Sequence, residues 1–278
     1  GVLVVVFAWW RGHFVTTMLA RRFAMGRRRG QCAGAVHRSQ HSSEFATVAL
    51  EVTAGGERDL PVDLVTGYLD RYGVRFDKVR ITNRDRDGVR TTWVGLTLGA
   101  ADNIAALSAR SPRIPLQDTV ELAARRLSDH LREMGWEVHP CAGAVEAVAA
   151  GQATETWRGI ADEHGHLACY RVAVDDTLAQ TLQSVWAFES GETWTTLEFT
   201  GSRAQPELAA VCALRTTERP AAKAPLAGLT AENGLHSVVL AALSPTSDHR
   251  LPGRPVPVTP QIRAQVHWPA ATAPLSRT

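Results

Sequence analysis

The chain has 278 residues, which is enough to bury the core of one large domain or of two small ones. With 45% hydrophobic and 21% charged residues, its composition is globular and excludes an intrinsically disordered chain. The net charge of +2 is unevenly distributed, because the residues before Glu44 include seven arginines and no acidic residue. The rest of the chain is therefore mildly acidic, which points to a charged surface contact at the N-terminus only.

The N-terminal region, residues 1–30, begins with an apolar run and continues into basic residues. As a helix the first ten residues would be about 15 Å long, roughly half the hydrocarbon core of a bilayer. Two tryptophans followed at once by arginine are typical of a transmembrane helix leaving the bilayer on the cytoplasmic side. A buried core segment and a signal-peptide core are the alternatives. The predicted membrane anchor is Val4, Phe7, Trp9 and Trp10, and the predicted lipid-facing basic cluster is Arg21, Arg22, Arg27, Arg28 and Arg29.

A polar linker is predicted at residues 31–43, and an α/β body at residues 44–219. Strands are expected at 45–52 and 74–82, separated by a helix that begins at Pro61 and carries Tyr72 on its apolar side. A hairpin turn leads into a strand at 93–98, a short helix at 101–109 and the strongest helix of the sequence. Its apolar stripe is Val120, Ala124, Leu127, Leu131 and Met134. With a strand at 136–138 the order is β-α-β-β-α-β.

The second part of the body repeats this alternation. Strands are expected at 157–160 and 166–174, then a helix at about 178–185, then strands at 193–199 and 208–214. The sequence around Trp93 resembles that around Trp194, which indicates either two related halves or a chance match. From Pro220 onward the region is proline-rich, with nine of the 14 prolines, and it is expected to be extended or partly disordered apart from an apolar run at 238–243. The predicted fold class is α/β, a mixed sheet with packed helices.

Two groups of residues could carry metal chemistry. Asp85 and Asp87 form a D-x-D, the spacing with which metal-dependent glycosyltransferases hold a divalent ion, so a glycosyltransferase-like enzyme is the alternative function. An aspartate followed by glycine also fits an ordinary hairpin turn, which the sequence favours. His164, His166 and Cys169 have a feasible spacing for zinc but no fourth ligand.

Other chemistry finds little support in the sequence. The four cysteines form no C-x-x-C pair, which favours reduced, packed thiols. Phosphate-binding loops, dinucleotide fingerprints, nucleophile elbows and H-E-x-x-H motifs do not occur. Aromatic and basic residues do not interleave on any strand, so nucleic-acid binding is not expected.

Six blocks of the sequence resemble one family. They are PVDLVTGYLDRYGVRFDKVRIT (61–82), TTWVGLTL (91–98), VELAARRLSDHLREMGWEV (120–138), ETWRG (155–159), ETWTTLEFTG (192–201) and CALRTTERP (212–220). With the basic N-terminal region, they resemble EccE, a membrane component of the ESX (type VII) secretion systems of mycobacteria and related actinobacteria. The resemblance is to the EccE of the third, metal-acquisition-linked ESX system in particular.

This resemblance implies a non-catalytic structural subunit of the inner-membrane secretion complex that supports protein export. Its partners would be EccB, the ATPase EccC, EccD and inner-membrane lipids. The family has two membrane helices before a cytoplasmic α/β domain, so this sequence would begin within the second helix. No catalytic residue, cofactor, metal, nucleic acid or small-molecule substrate is implied. The polar face of the central helix, with Arg125 and Arg132, is the candidate surface for partner contact.

Overall fold

The computed structural model describes residues 44–54, 56–111, 115–141, 143, 145 and 153–272, together with the backbone of four residues near the N-terminus. Those four form two paired antiparallel strands, β1 (Trp9–Trp10) and β2 (His13–Phe14). Three predicted features lie outside the described residues. They are the side chains of the membrane anchor, the whole basic cluster at residues 21–29 and the linker. The assignments of these three segments therefore stay predictions.

A single large sheet forms the centre of the body. Its strands in chain order are β3 (Phe45–Ala54), β4 (Asp70–Arg71), β5 (Val74–Arg86), β6 (Val89–Gly99), β7 (Trp136–Pro140), β8 (Thr154–Thr156), β9 (Gly159–Asp162), β10 (Gly165–Val172), β11 (Glu192–Gly201), β12 (Pro206–Thr216), β13 (Leu229–Ala231), β14 (Val256–Pro257) and β15 (Ala271–Thr272). The main spatial order is β3-β6-β5-β11-β12-β10-β9-β8, with every neighbouring pair antiparallel. The short strand β15 runs parallel to β3, so the sheet is mixed as predicted.

Helices cover both faces of this sheet. They are α1 (Val62–Thr66), α2 (Ile104–Ser108), α3 (Leu116–Glu133), α4 (Leu178–Trp186), α5 (His236–Leu243) and α6 (Pro260–Gln265). Helix α3 packs mainly on β3, β6 and β7, and its predicted stripe is buried up to Leu131. Met134 follows the end of the helix and is 44% exposed. Among the described residues, no helix has both the length and the apolar composition needed to cross a bilayer.

The alternation of side chains along the central strand β5 divides the interior into two layers. Val79 and Ile81 point into the larger core, which α1, α3 and α4 cover. Lys78, Arg80 and Thr82 lie on the opposite face, because successive residues of a strand point to opposite sides. A smaller apolar core lies on that face under α5. The predicted α/β fold class is confirmed.

The body consists of two units with the same topology. In each, a strand is followed by a helix and a hairpin, as β3-α1-β5-β6 and as β10-α4-β11-β12. In each, the last strand lies between the other two, and β5 pairs with β11 where the units meet. The predicted similarity around the two tryptophans does not follow this repeat, since Trp93 lies on β6 and Trp194 on β11, which are not equivalent strands. Their rings instead stack across β5, with centroids 6.0 Å apart.

The helix predicted after Pro61 is shorter than expected. Helix α1 ends at Thr66, a single 3-10 turn follows over Gly67–Leu69, and β4 then forms a hairpin with β5. Tyr68 takes the buried place that the sequence pattern assigned to Tyr72. Tyr72 lies in the turn with φ of 57° and a side chain 36% exposed, because the chain reverses direction there.

The proline-rich region differs from the extended or disordered tail that was expected. Its described part, residues 220–272, contains α5, α6 and three short strands, and it contacts both topological units. Gly95 on β6 makes this packing possible, since a Cβ atom there would lie 2.8 Å from the carbonyl oxygen of Pro245. The stabilising partners of this region lie far away in the chain, so local sequence pattern does not reveal them.

Candidate functional site

Buried charges on the second face of the sheet hold the C-terminal region in place. The Arg80 guanidinium binds the Glu198 carboxylate at 2.5 Å and donates to the backbone oxygens of Ala242 (2.5 Å) and His249 (2.6 Å). Glu198 also accepts from the backbone N–H of Leu251 at 3.1 Å. Both side chains of the ion pair are 2% exposed. A buried pair is stabilising only when most of its remaining donors and acceptors are satisfied. Here the segment at 242–251 binds both terminal nitrogens of Arg80 and one oxygen of Glu198, and the Arg80 Nε has no hydrogen-bond partner among the described residues.

Lys78 extends this buried clamp, which we define as Lys78, Arg80 and Glu198. Its ammonium donates to the backbone oxygen of His249 at 2.5 Å. Burial, and then the nearby Arg80 guanidinium, lower the pKa of Lys78 to about 7, against the opposing effect of the Glu198 carboxylate. The folded structure therefore disfavours the charged ammonium form of Lys78 relative to the neutral amine.

A second buried network joins four strands of the sheet. Glu192 on β11 accepts from Arg84 on β5 at 2.6 Å and from Arg215 on β12 at 2.9 Å. Arg215 also binds both carboxylate oxygens of Asp162 on β9, at 2.7 and 2.8 Å. The indole N–H of Trp194 donates to Glu192 at 2.9 Å. These carboxylates have their lone pairs engaged by side chains of neighbouring strands, so their role in this structure is to fix the sheet.

The end of the C-terminal region enters the larger core. Trp268 is fully buried and packs edge to face on Trp186, with ring centroids 5.5 Å apart. Its indole N–H donates to the Asn83 side-chain oxygen at 2.9 Å, and Thr92 donates to the same oxygen at 2.8 Å. The Asn83 amide nitrogen in turn donates to the backbone oxygen of Pro269 at 2.9 Å. This region is thus an integral part of the folded body.

The D-x-D motif is a hairpin turn in the structure. Asp87 and Gly88 both have positive φ, 53° and 75°, which is the backbone of a two-residue turn between β5 and β6. Asp85 is held by both ends of the Arg90 guanidinium, at 2.6 and 2.9 Å. The Asp87 side chain is 84% exposed and lies 3.4 Å from Arg86. Nothing in this arrangement supports the glycosyltransferase alternative.

The predicted histidine–cysteine group does not converge either. His164 lies in the turn before β10 with its side chain 56% exposed, whereas Cys169 is fully buried. Cys169 lies in the smaller core beside α5, and burial raises the pKa of its thiol well above the usual value. In the part of the chain that the structure describes, no three His, Cys, Asp or Glu side chains are close enough to hold a metal ion.

The predicted partner-contact residues lie on the outer face of α3. Arg125 is 74% exposed and lies 3.5 Å from Glu121. Arg132 is 51% exposed, lies 3.5 Å from Asp129 and donates to the backbone oxygen of Val138 at 2.7 Å. Both arginines are thus accessible, and each has a carboxylate neighbour within its own helix.

A second accessible group, which sequence reasoning missed, lies beside them. We define the arginine–tyrosine patch as Arg71, Tyr72, Arg110 and Arg126. The Arg126 guanidinium lies 4.2 Å above the Tyr72 ring centroid, and Arg71 lies 5.6 Å from the same ring. Arg110 donates to the Tyr72 backbone oxygen at 2.7 Å. Three segments that are separate in sequence supply these residues, so no local sequence pattern indicates the patch.

The layer beneath the patch fixes its geometry. The buried Tyr68 hydroxyl hydrogen-bonds to His130 Nδ1 of α3 at 3.0 Å. The Arg71 guanidinium carbon lies 4.9 Å from the Tyr68 ring centroid, which is a cation–π contact. The hairpin that carries Tyr72 is thereby attached to α3, and the patch has a rigid base.

A small groove lies at the junction of α1, β11 and α6. Its volume is about 220 Å³, and its lining includes the apolar residues Phe199, Val258 and Val266. The exposed pair of Asp59 and His267, 3.2 Å apart, is also part of the lining. Ligand pockets commonly measure roughly 300–1,000 Å³, so this groove is small for a cofactor-sized molecule.

Comparisons with known proteins agree on one family. Residues 87–172 match the family model described as the type VII ESX secretion system translocon EccE. The chain is 51% identical over 264 residues to the ESX-3 secretion system protein EccE3 of Mycolicibacterium smegmatis, covering 95% of this chain and 83% of that protein. It is 42% identical over 280 residues to the ESX-3 secretion system protein EccE3 of Mycobacterium tuberculosis, covering 98% of this chain and 83% of that protein. Identity of this extent over almost the whole sequence shows that the chain belongs to the EccE family.

Proposed function

We propose that this protein is a structural, non-catalytic subunit of an ESX (type VII) secretion system and that it supports protein export. The observation that carries the proposal is its 51% identity, over 95% of its length, to an ESX-3 secretion system protein. The structure agrees with a scaffold role, because the buried carboxylates Glu192 and Glu198 bind arginines and backbone groups of the body itself. Their lone pairs are engaged in holding strands and the C-terminal region together.

We propose that the partners are the other core subunits, EccB, the ATPase EccC and EccD. In this arrangement the energy for export comes from the ATPase, and this chain positions its neighbours. The described body has accessible charged surfaces suited to such contacts, among them the face of α3 that carries Arg125 and Arg132. Exposed ion pairs contribute little to the stability of the isolated body, so these residues are free to serve an interface.

We further propose that the protein is attached to the inner membrane by its N-terminal region, with the body in the cytoplasm. The apolar run that ends in two tryptophans and Arg11 supports this orientation, since positively charged residues favour the cytoplasmic side. The basic cluster at residues 21–29 would then lie at the anionic headgroups, where each arginine contributes on the order of 1 kcal/mol.

Affinity purification of the tagged full chain in a mild detergent tests this function. We expect a large assembly that contains the other ESX core subunits, identified by mass spectrometry. A parallel preparation with the tag on an unrelated inner-membrane protein controls for non-specific recovery. Recovery of the chain alone, under conditions in which the other subunits remain associated with one another, would contradict the proposal.

A further inference from the structure

The arginine–tyrosine patch carries three positive charges close together on the surface. In the described part of the chain, Arg71, Arg110 and Arg126 form no ion pair, whereas nearby Arg125 and Arg132 each have one. Charges fixed close together on one surface raise the electrostatic potential there and favour a partner of the opposite sign. We propose that this patch binds an acidic segment of a neighbouring subunit, an inference that rests on the proposed scaffold function.

The geometry of the patch favours carboxylate recognition. The Arg126 guanidinium carbon lies 4.2 Å from the Tyr72 ring centroid, and the Arg71 guanidinium carbon lies 4.9 and 5.6 Å from the ring centroids of Tyr68 and Tyr72. A cation–π contact does not use the N–H donors of a guanidinium group, which can still form paired hydrogen bonds to carboxylates. Because the rings already restrict these side chains, little conformational entropy remains to be lost on binding.

The backbone at Tyr72 determines where its ring lies. Tyr72 and Gly73, with φ of 57° and 72°, form the two-residue turn between β4 and β5, as Asp87 and Gly88 do between β5 and β6. Arg110 holds this turn by donating to the Tyr72 carbonyl oxygen at 2.7 Å. The result is an aromatic ring presented at the surface between two arginines, and tyrosine and arginine are the residue types enriched among binding hot spots.

One apolar side chain extends the patch. Leu122 is 49% exposed and precedes Arg126 by four residues on α3, so the two lie on the same side of the helix. The surface therefore fits a short segment in which acidic residues stand beside an apolar one. A lipid surface is the less suitable occupant, because attraction to anionic headgroups does not require guanidinium groups held in fixed orientations by aromatic rings.

The test compares two double variants of the full chain in the assembled complex. The patch variant is Arg71→Glu with Arg126→Glu, and the matched control is Arg86→Glu with Arg254→Glu, which reverses two exposed arginines outside the patch and outside the outer face of α3. We expect the patch variant to lower recovery of one core subunit by at least about tenfold, with recovery of the control near that of the parent. Melting curves of both variants verify that they are folded. The milder Arg71→Lys with Arg126→Lys should give an intermediate loss, because lysine keeps the charge but not the paired geometry.

A photo-crosslinking residue in place of Leu122 identifies the occupant. We expect a crosslink to a segment of another core subunit that contains several Asp or Glu residues, and reversing those charges should restore recovery with the patch variant. Unchanged recovery with the patch variant, or a crosslink to a segment without acidic residues, would overturn the inference. So would a defect confined to flotation with phosphatidylglycerol vesicles, which would make the patch a lipid site. In all three cases the parent chain still recovers the other subunits, so only the inference about the patch is refuted. If the parent chain itself recovered no other subunit, the proposed scaffold function would be refuted instead.

Discussion

Replacing Trp268 with alanine should destabilise the whole body, although the residue lies in the proline-rich region. The indole is fully buried among residues of the larger core. A tryptophan side chain buries about 200 Å², which at roughly 25 cal/mol per Å² corresponds to an upper estimate of about 5 kcal/mol. Measured losses for such truncations are about 3–5 kcal/mol, a large share of a typical stability of about 5–15 kcal/mol. Guanidinium unfolding of the full chain in mild detergent, followed by far-UV circular dichroism, measures this loss.

The matched variant Trp268→Phe separates packing from hydrogen bonding. Phenylalanine keeps most of the apolar contact but lacks the N–H that donates to the Asn83 oxygen at 2.9 Å. Thr92 still donates to that oxygen at 2.8 Å, so it is not left unsatisfied, and the expected cost is about 1–2 kcal/mol. If Trp268→Ala unfolded within about 1 kcal/mol of the parent, the C-terminal region would not belong to the cooperative unit and our description of the fold would be refuted.

Three further predictions concern other parts of the molecule. In the same unfolding assay, Leu127→Ala on α3 should lower the free energy of unfolding by about 2–5 kcal/mol, because Leu127 is fully buried. The control Leu122→Ala changes an exposed residue of the same helix and should alter that free energy by less than about 0.5 kcal/mol. Equal effects of the two variants would refute the predicted orientation of the helix. The pKa of Lys78 is about 7 in the folded protein against 10.5 unfolded, so above pH 7 the unfolded chain binds more protons and stability rises with pH. Relative to Lys78→Met, the parent should gain about 2 kcal/mol between pH 7 and pH 9, and parallel pH profiles would show that the lysine titrates normally. Changing the five arginines of the basic cluster to glutamine should weaken binding of the full chain to anionic vesicles, most of all at low salt, and unchanged flotation would remove the cluster from the membrane contact.

Local periodicity was sufficient to predict the elements that pack on the larger core. The stripe of α3 follows from which residues must face the sheet, and the positions of β3, β6 and β11 in the chain are as expected. Strands β6 and β11 are buried on both faces, because the C-terminal region covers the face that the sequence pattern left open. Helical periodicity gave a wrong prediction at Tyr72. A spacing of three or four residues places side chains on one face only where the backbone is helical. At Asp70 the backbone enters a hairpin with β5 instead, and Tyr68 fills the core.

The role of the proline-rich region could not be predicted because its partners are distant in sequence. The backbone oxygen of His249 accepts a hydrogen bond from Lys78, which lies 171 residues away in the sequence. The indole of Trp268 donates to Asn83, which lies 185 residues away. Neither contact leaves a periodic signal in the C-terminal region itself. The arginine–tyrosine patch was missed for the same reason, since three separate segments supply it. The resemblance to EccE, by contrast, depended on blocks of sequence and needed no knowledge of these contacts.

We propose that this protein is a structural component that an ESX system requires to assemble and to export its substrates. Deletion of its gene in the host tests this requirement. The two quantities to measure are the amount of intact core complex on native gels and the amount of exported ESX substrates. We predict that the deletion lowers both quantities and that the full chain restores them, whereas Leu127→Ala restores them only in part. Normal complex levels and normal export without the chain would contradict the account.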